Sequence, residues 1–418
     1  MRAIKYEVQK LRDIVTLGKG KPPAQQPYFG PDAELYLTPE YLRGRGTAEP
    51  VKASVNAVRV LDNETIVLWD GSNAEEFFRA RKGILASTMS RISHDDTFDK
   101  EYFFYAVKSW ESFLKGQTSG SGIPHVDKEV LGKIEIFQFP KPEQTKIAEI
   151  LSTVDRAIEQ TEALIAKQQR IKTGLMQDLL TRGIDEEGNL RSEQTHEFKD
   201  SPLGRIPVEW NVKPLGTICE LIKDGTHLPP ARVSEGPLLL GVQNMVDGKL
   251  TKTSSDTRVP WDFYEQMHQN WKILAGDVFL AIVGATIGKT CLAPTNLEPY
   301  TLQRSVALIR GERGILHNRF LLQYLKSPFF QSIIHTKTNS TAQAGLYLSQ
   351  IADFYFPVCP IEEQIAISIQ LEGINNLGES YTRTGGKLRS LKTALMQDLL
   401  TGKKRVIPLL ESEKEATA

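Results

Sequence analysis

The sequence predicts two globular domains of the α/β (α+β) class, separated by a pair of long antiparallel coiled-coil-like helices. Three observations predict this architecture. The chain contains an internal repeat, both copies of the repeat carry a sustained helical spacing of apolar residues, and short strand-like runs alternate with glycine-rich turns elsewhere. With 418 residues, the chain is long enough for two or three domains that each bury a core.

The internal repeat is the clearest feature of the chain. The heptapeptide Leu175–Thr181 recurs as Leu395–Thr401, at an offset of 220 residues. Without a gap, the same offset aligns Glu143-Gln144 with Glu363-Gln364. A seven-residue identity inside a longer common register indicates that one half of the chain is a duplicate of the other.

The repeat sets the expected domain boundaries. Asp185–Asn189 is acidic and polar, which is typical of an exposed linker, and the chain after Pro408 is expected to be disordered. The expected segments are a first globular domain (1–140), a first long helix (141–184), a linker (185–200), a second globular domain (201–360), a second long helix (361–405) and a tail (406–418).

Each repeated segment has apolar residues at alternating steps of three and four, which places them on one narrow helix face. This predicted seam consists of Ile147, Leu151, Val154, Ile158, Ile165, Leu175 and Leu179 in the first copy, and Ile367, Leu371, Ile374, Tyr381, Leu388, Leu395 and Leu399 in the second. The shared phase favours pairing of the two helices over two unrelated surface helices that each pack on their own domain. Forty residues of helix would measure about 60 Å.

Prolines and glycines mark the ends of these helices. Pro142 suits a helix start, and Gly183 suits the position just after a helix. The second helix also contains Gly373, Gly378 and the pair Gly385-Gly386, and each interior glycine costs a helix about 1 kcal/mol relative to alanine. A kink or a frayed turn is therefore expected there, and the continuity of the second helix is left open.

The two globular domains share weaker similarities. Tyr6–Leu11 resembles Trp210–Leu215, and Ile134–Ile136 before the first helix resembles Phe354–Phe356 before the second. Both domains also contain strand-like and helical runs. The strand-like runs are Thr65–Trp69 and Asp277–Ala281, and the helical runs are Lys100–Leu114 and Asn318–His335.

Composition excludes several classes of protein. The 51 basic and 51 acidic side chains give a formal net charge of zero, which argues against a protein that coats nucleic acid by bulk positive charge but allows a local basic groove. The three cysteines form no CxxC pair, so a zinc or redox site is not indicated. The N-terminus lacks the apolar core of a signal peptide, and the apolar run Val278–Val283 is too short to span a bilayer. We expect a cytoplasmic protein.

One segment resembles a nucleotide-binding loop. Gly284–Thr290 follows a strand-like run, but only three residues separate its glycines, whereas a phosphate-binding P-loop has four. Nucleotide hydrolysis is the weakest hypothesis, and a glycine-rich turn that presents Lys289 to DNA or solvent is the better interpretation. The sequence also lacks an HExxH pair, a glycine-rich methyl-donor loop and a recognisable nuclease core, so no catalytic, cofactor or metal site is expected.

Several loops combine small, polar and basic residues, as a nucleic-acid surface does. Lysine, arginine, serine and threonine can anchor phosphates, while asparagine, glutamine and arginine can contact base edges. For any one residue, an ordinary solvated loop is the simpler explanation. The candidates are Lys19, Lys21, Arg81, Lys82, Lys115, Gln117, Thr118, Ser119, Lys223, Thr226, His227, Lys289, Arg304, Lys337, Thr338, Asn339 and Ser340.

Together these features resemble the specificity subunits of Type I restriction–modification systems, over essentially the whole chain. The resemblance is carried by the Glu-Gln pair that opens each helix and the heptapeptide that closes it. Three further segments look like motifs common in such domains: Trp69–Asn73, Lys223–His227 and Gly284–Lys289.

The resemblance implies a DNA-binding subunit without catalysis of its own. Each globular domain would be a target-recognition domain that reads half of a bipartite, asymmetric site on double-stranded DNA, and the helices would set the spacing between the halves. Two modification (methyltransferase) subunits would bind, and a restriction (nuclease–translocase) subunit could then join. Methyl transfer and ATP-dependent cleavage would belong to these partners. The alternative hypothesis is a protein-binding scaffold that contacts DNA only incidentally.

Overall fold

The computed structural model describes residues 7–117, 124–227, 230–338 and 345–417. The chain divides into two compact units, of which unit 1 comprises residues 1–162 and 383–418 and unit 2 comprises residues 163–382. Each of the two long helices therefore contributes one half to each unit. Among the described residues, no helix combines the length and apolarity that crossing a membrane requires.

The globular part of unit 1 contains three sets of paired strands. One antiparallel sheet has the order β2-β9-β6-β7, a mixed sheet has the order β4-β3-β8-β5, and β1 pairs with β10. The strands are β1 (Glu7–Lys10), β2 (Val15–Lys19), β3 (Glu34–Leu37), β4 (Glu49–Val51), β5 (Arg59–Val60), β6 (Thr65–Leu68), β7 (Phe77–Arg79), β8 (Gly83–Leu85), β9 (Met89–His94) and β10 (Glu135–Gln138). The helices are α1 (Leu11–Ile14), α2 (Pro39–Leu42), α3 (Lys100–Lys108), α4 (Glu111–Lys115), α5 (Lys128–Gly132) and the long α6 (Lys141–Thr181).

Unit 2 is built in the same way, with extra strands. Its sheets have the orders β14-β22-β19-β20-β17-β16 and β18-β15-β21, and two further antiparallel pairs are β11 with β12 and β13 with β23. The strands are β11 (Phe198–Ser201), β12 (Gly204–Pro207), β13 (Asn211–Pro214), β14 (Cys219–Asp224), β15 (Val233–Leu240), β16 (Met245–Val246), β17 (Lys249–Leu250), β18 (Thr257–Arg258), β19 (Val278–Ala281), β20 (Thr290–Leu292), β21 (Tyr300–Leu302), β22 (Val306–Gly311) and β23 (Tyr355–Val358). The helices are α7 (Trp261–Met267), α8 (Asn318–Lys326), α9 (Pro328–Thr338), α10 (Leu348–Ala352) and the long α11 (Ile361–Leu400); α12 (Ile407–Thr417) follows in unit 1.

The strand pairing confirms that the two globular domains are related. In each domain, a strand near the start pairs antiparallel with the strand that precedes the long helix, β1 with β10 and β13 with β23. The residue that follows β1 or β13 makes the same contact in both domains, because the N–H of Leu11 donates to Ile134 and that of Leu215 donates to Phe354, both at 2.8 Å. The central order β2-β9-β6-β7 likewise reappears as β14-β22-β19-β20.

A buried glutamine fixes the start of each long helix to its own globular domain. In unit 1, Gln144 Nε2 donates to the carbonyls of Thr97 and Phe139, and Gln144 Oε1 accepts from the N–H of Asp99 at 2.7 Å. Both glutamine side chains are fully buried.

The glutamine of unit 2 repeats these bonds. Gln364 Nε2 donates to Ile315 and Cys359 carbonyls, and Gln364 Oε1 accepts from the N–H of His317 at 2.8 Å. Because a buried backbone group without a partner costs about 1–3 kcal/mol, this triple contact explains why the residue type is the same in both copies.

The glutamate before each glutamine forms an ion pair with the chain that follows the other long helix. Glu363 pairs with Arg191 at 2.5 Å, and it also accepts from the N–H of Ile184 and from the indole of Trp210. Glu143 pairs in a bidentate manner with Arg405. In both units, the start of one helix is thereby joined to the end of the other.

The predicted seam residues divide between the two cores. Ile147 and Leu151 pack in the unit 1 core with Leu395 and Leu399, and Leu175 and Leu179 pack in the unit 2 core with Ile367 and Leu371. The remaining seam positions are half-buried: Val154, Ile158, Ile165, Ile374, Tyr381 and Leu388. Since both helices contribute to each core, two unrelated surface helices are excluded.

Two expectations about the helices are corrected. The second helix runs without interruption from Ile361 to Leu400, through all four of its glycines, so a frayed turn is absent from this described segment. The chain after Pro408 is helical rather than disordered, because α12 begins at Ile407 and its Leu410 packs against the unit 1 core beside buried Val406. Gly183 follows the first helix with a φ of +64°, as expected of a glycine at a helix end.

Candidate nucleic-acid interface and two grooves

Each globular domain carries a hairpin that connects two strands of its central sheet, and these strands are equivalent in the two domains. Tip 1 (residues 69–76) joins β6 to β7, and tip 2 (residues 282–289) joins β19 to β20. Both tips have eight residues, and each has two positions with positive φ, Gly71 and Glu75 in tip 1 and Gly284 and Gly288 in tip 2. The backbone conformation of the hairpin is therefore shared although the side chains differ.

Adjacent backbone segments of the same domain hydrogen-bond to each tip in the same way. The N–H of Trp69 donates to Thr88 and that of Ile282 donates to Ser305, at 2.7 and 2.9 Å. The carbonyls of Trp69 and Ile282 accept from the N–H of Val126 and Leu346, respectively. Backbone bonds on both sides make each tip a rigid projection from the end of a sheet.

A glycine brings the end of the first sheet strand to the same place in both domains. A Cβ atom at Gly20 would lie 2.0 Å from the carbonyl oxygen of Ala86, and one at Gly225 would lie 2.1 Å from that of Leu302. No side chain fits in either gap, so glycine is required by this close approach. Two pairs of candidate residues therefore lie at the same sheet end as a tip. Lys19 and Lys21 flank Gly20 near tip 1, and Thr226 and His227 follow Gly225 near tip 2.

Charged contacts surround tip 1. The Lys19 ammonium pairs with Asp70 at 2.5 Å and lies 5.5 Å from the centre of the Trp69 ring. Ser72 and Asn73 at the turn are exposed. Tip 1 thus presents hydrogen-bonding side chains beside two cations, Lys19 and exposed Lys21.

Tip 2 has a different chemical character. Val283 is 41% exposed, and Gly284 and Ala285 are exposed as well. Two exposed cations lie next to this apolar turn: Lys289 at the end of the hairpin, and Arg304, whose N–H donates to Thr226. On the same sheet end, His227 Nε2 lies 2.7 Å from an Asp224 carboxylate oxygen.

The hairpin geometry excludes the nucleotide-binding interpretation of Gly284–Thr290. A P-loop connects a strand to a helix whose N-terminus faces the phosphates, whereas this segment connects two antiparallel strands. Lys289 instead belongs to the tip, and its N–H donates to Thr286 within the turn.

The other candidate residues lie apart from the tips. Arg81 and Lys82 are at the opposite end of their sheet, where the N–H of Lys82 donates to Asp62. Lys115 pairs with Glu111 on α4, and exposed Gln117 follows that helix. Lys223 is exposed and lies on β14, beside Asp224.

The last candidates lie in the sequence at the end of α9 or shortly after α4 and α9. Lys337 is exposed near the end of α9. Thr338 is buried and its hydroxyl donates to Ile334, an arrangement that favours a structural role. Thr118, Ser119, Asn339 and Ser340 lie outside the described residues.

Four exposed tip residues are not among the candidates predicted from the sequence: Ser72, Asn73, Val283 and Ala285. Three of them lie in the segments Trp69–Asn73 and Gly284–Lys289, which look like motifs of the family. One signal could have found them. A buried strand begins six residues before Gly71 and again six residues before Gly284, so each glycine marks a turn at the same place in a duplicated unit.

The heptapeptide repeat lines a groove in each unit. Groove 1 in unit 1 has a volume of about 820 Å³, and groove 2 in unit 2 has a volume of about 420 Å³. Five pairs of identical residues related by the offset of 220 line the grooves, with the first member in groove 2 and the second in groove 1: Thr173 and Thr393, Met176 and Met396, Gln177 and Gln397, Leu180 and Leu400, and Thr181 and Thr401. A partly exposed phenylalanine completes each groove, Phe113 in groove 1 and Phe329 in groove 2.

No metal-binding cluster of histidine, cysteine or carboxylate side chains occurs among the described residues. The cysteines Cys219, Cys291 and Cys359 are free thiols, and burial raises the pKa of Cys219 and Cys291 to about 12. Thiols with a raised pKa are poor nucleophiles and poor metal ligands at neutral pH.

A family model described as the Type I restriction modification DNA specificity domain matches residues 4–168 and again residues 207–380. The chain belongs to this family. The Type I restriction enzyme MjaVIII specificity subunit of Methanocaldococcus jannaschii is 33% identical over 411 residues, which cover 96% of this chain and 93% of that protein. The Type I restriction enzyme EcoBI specificity subunit of Escherichia coli is 24% identical and covers 86% of this chain and 81% of its own.

Solved structures show the same fold. The Type I restriction–modification S subunit from M. genitalium superposes with a TM-score of 0.60 at 17% identity, over 96% of this chain and 97% of that one. A chain from a structure described as revealing complex assembly and conformational transition of the Type I R-M system superposes with a TM-score of 0.55 at 16% identity, over 95% and 98% of the two chains. The mixed α/β domains with two long packed helices are thus the fold of this family of subunits.

Proposed function

We propose that this specificity subunit reads a bipartite, asymmetric DNA site, with one recognition domain on each half, and carries no catalytic activity of its own. One observation supports this most directly. Tips 1 and 2 share a backbone conformation and a supporting set of backbone bonds, yet they expose different side chains. Equal scaffolds with unlike contact residues suit two half-sites of unlike sequence.

Exchange of one recognition domain tests this proposal. Replacing residues 1–140 with the equivalent segment of a related specificity subunit should change one half of the methylated site and leave the other half intact. Replacing residues 201–360 should change only the other half. Methylated positions mapped across the genome of a cell that expresses the chimaeras give the result. A site that changes in both halves, or in neither, would contradict modular recognition.

A DNA-binding comparison tests the scaffold alternative. The complex with its partners should bind the methylated sequence much more tightly than a scrambled duplex at the same salt concentration, because phosphate contacts alone do not distinguish sequences. Equal affinities for both duplexes would favour a scaffold.

The two grooves support recruitment of two copies of one partner, the modification subunit, which would supply methyl transfer. Packing explains why the buried leucines of the heptapeptide are the same in both copies, but it does not explain the identity of exposed residues. Gln177 and Gln397 are exposed and identical, as are Thr173 and Thr393. A partner that contacts the same residues twice accounts for this identity.

Most exposed positions elsewhere on the helices differ between the copies, although Glu159 matches Glu379 and Lys167 matches Lys387. Arg156 corresponds to Asn376, and Gln160 corresponds to Ser380. The identity is therefore concentrated where the grooves are. A restriction subunit that joins the assembled complex would add cleavage, as the family resemblance implies.

Single substitutions in the grooves test the stoichiometry. Gln177→Arg and Gln397→Arg should each reduce the complex from two modification subunits to one, and the double variant should bind none. The mass of the purified complex gives the count. Gln160→Arg and Asn376→Arg are matched controls on exposed, non-identical positions and should retain two subunits. If the double variant also retains two subunits, the grooves are not the docking sites.

A further inference from the structure

The chemistry of tip 2 determines which feature of a base it can recognise, if the proposed function holds. Tip 1 exposes Ser72 and Asn73, whose hydroxyl and amide groups can form hydrogen bonds with base edges. The corresponding residues of tip 2 are Ala285 and Thr286, and Val283 replaces Asp70. Val283 and Ala285 thus carry methyl groups where tip 1 has hydrogen-bonding groups, and Thr286 carries a methyl group beside its hydroxyl.

Methyl groups can distinguish one base in the major groove. Thymine carries a 5-methyl group there, and alanine, threonine and other apolar side chains contact it, whereas the other bases present only donors and acceptors at their edges. Val283 is 41% exposed and Ala285 is exposed, so both are accessible to a duplex.

The surroundings of tip 2 fit this role. Lys289 and Arg304 are exposed beside it and can bind phosphates on either side of the contacted base. Ile282, just before Val283, is fixed by bonds to Ser305 and Leu346, and Val283 itself pairs with Gly345 in an isolated antiparallel bridge. An apolar contact gains most when the contacting atoms are already held in place.

We propose that tip 2 recognises thymine 5-methyl groups through Val283, Ala285 and the methyl group of Thr286, so that the half-site read by the second domain contains at least one thymine whose methyl group is required. Tip 1, with Asn73 and Ser72 at its turn, reads hydrogen-bonding edges instead. The proposal rests on the proposed function, because it presumes that tip 2 faces a base.

Deoxyuridine substitution tests the proposal, because uracil pairs as thymine does and lacks only the methyl group. The complex of this chain with its modification subunits first selects duplexes from a random library, which defines both half-sites. Each thymine in the half read by the second domain is then replaced by uracil. At one or more positions the affinity should fall about fourfold per methyl group, equivalent to about 0.8 kcal/mol per buried carbon at 1.4 kcal/mol per tenfold. The same replacement in the other half should leave affinity unchanged.

A second experiment replaces three residues of tip 2 by their counterparts in tip 1. The triple variant V283D/A285S/T286N gives tip 2 the side chains of tip 1, and it should bind uracil and thymine duplexes equally. Val283→Ile, which keeps an apolar side chain, should retain the fourfold difference. Purification of each variant with its partners confirms that it folds.

The outcomes separate the two proposals. A library from which no sequence is selected would contradict the proposed function itself. A selected half-site that lacks thymine, or one in which every uracil is tolerated by the unaltered protein, would overturn only the reading of methyl groups.

Discussion

Unit 1 and unit 2 are built on one plan, and they differ in what their side chains contact. The bonds that Gln144 and Gln364 form with backbone atoms are the same in both units. The tips share backbone bonds but differ in their exposed side chains. Contacts directed at the backbone have persisted through the duplication because the fold depends on them, whereas surface side chains have been free to diverge.

The paired halves of the long helices show a second difference. In unit 1, Asp155 accepts from the Tyr105 hydroxyl at 2.7 Å and pairs with Lys392 at 2.6 Å. The residues at the equivalent positions of unit 2 are Asn375, Gln323 and Lys172. Among the described residues, Asn375 Oδ1 and Gln323 Oε1 are buried without a hydrogen-bond partner. Unit 1 therefore has an ionic contact at a position where unit 2 leaves acceptors unsatisfied.

The largest effect is expected from loss of the shared glutamine. Gln364→Leu leaves Ile315, Cys359 and His317 backbone groups without partners, and at 1–3 kcal/mol each this should lower the free energy of unfolding by about 3–9 kcal/mol. Gln144→Leu should cost a similar amount. Urea denaturation followed by circular dichroism measures both, with exposed Gln160→Leu as the control. A loss below about 1 kcal/mol in either variant would show that the bonds do not hold the helix start.

A smaller and unequal effect is expected at the two glutamates. The side chains of Glu363 and Arg191 are 7% and 10% exposed, while those of Glu143 and Arg405 are 3% and 22% exposed, so the two pairs differ in the burial of the arginine. Removing one member of a buried ion pair costs about 3–5 kcal/mol, so Glu363→Ala should lower the free energy of unfolding by about 3 kcal/mol and Glu143→Ala by less.

The double variant E363A/R191M sharpens this test. It removes both charges and should recover the part of the lost stability that is due to an unpaired buried Arg191. The part that is due to the N–H of Ile184 and the indole of Trp210, which lose their acceptor in both variants, should remain. Thermal unfolding of the single and double variants measures the difference. Equal losses at Glu363 and Glu143 would mean that the difference in burial is without consequence.

The sequence predicted the features that follow from local periodicity. The steps of three and four from Ile147 to Leu179 predicted a long helix, and α6 extends from Lys141 to Thr181. The glycines of the second helix suggested a break, but Gly373 and Gly386 have open space around them among the described residues, and the flanking helix is anchored by Ile367 and Leu399 in the two cores. Tertiary packing at both ends outweighs the local cost of the glycines.

Features that depend on distant contacts were not predictable. Helix α12 forms where Val406 and Leu410 meet the unit 1 core, a contact that a short charged segment does not reveal by itself. The position of Arg81 and Lys82 at the far end of their sheet depends on strand order, which is a property of the whole domain. The equivalence of the tips was also hidden, because Gly71 and Gly284 are the only identical residues at matching positions of the two turns.

The next prediction replaces Asp155 of unit 1 by asparagine, the residue type found at the equivalent position of unit 2, Asn375. Asp155→Asn removes the charge opposite Lys392 and weakens the contact with Tyr105, and it should lower the free energy of unfolding by about 1–2 kcal/mol. Arg389→Gln is the matched control, because its pair with Glu162 is about half exposed and should contribute less than about 0.5 kcal/mol. Differential scanning calorimetry of both variants decides the order. A greater loss in Arg389→Gln would reverse the assigned importance of the two pairs.

The smallest effect is expected at Glu75. This residue occupies the position in tip 1 that Gly288 occupies in tip 2, and its carboxyl group is buried. Among the described residues its Oε2 has no hydrogen-bond partner, and burial raises the pKa of Glu75 above its ordinary 4.5. The folded protein then binds this proton more tightly than the unfolded chain, so stability falls as pH rises from about 4.5 through the folded-state pKa and is constant above it. Glu75→Gln should remove this slope and should be more stable than the unaltered protein at pH 8, because no buried carboxylate has to form. Urea denaturation at pH 5 and pH 8 checks the sign, with exposed Glu159→Gln as the control. An unaltered protein that is more stable at pH 8 than its Glu75→Gln variant would show that the carboxylate is stabilised rather than penalised at this position.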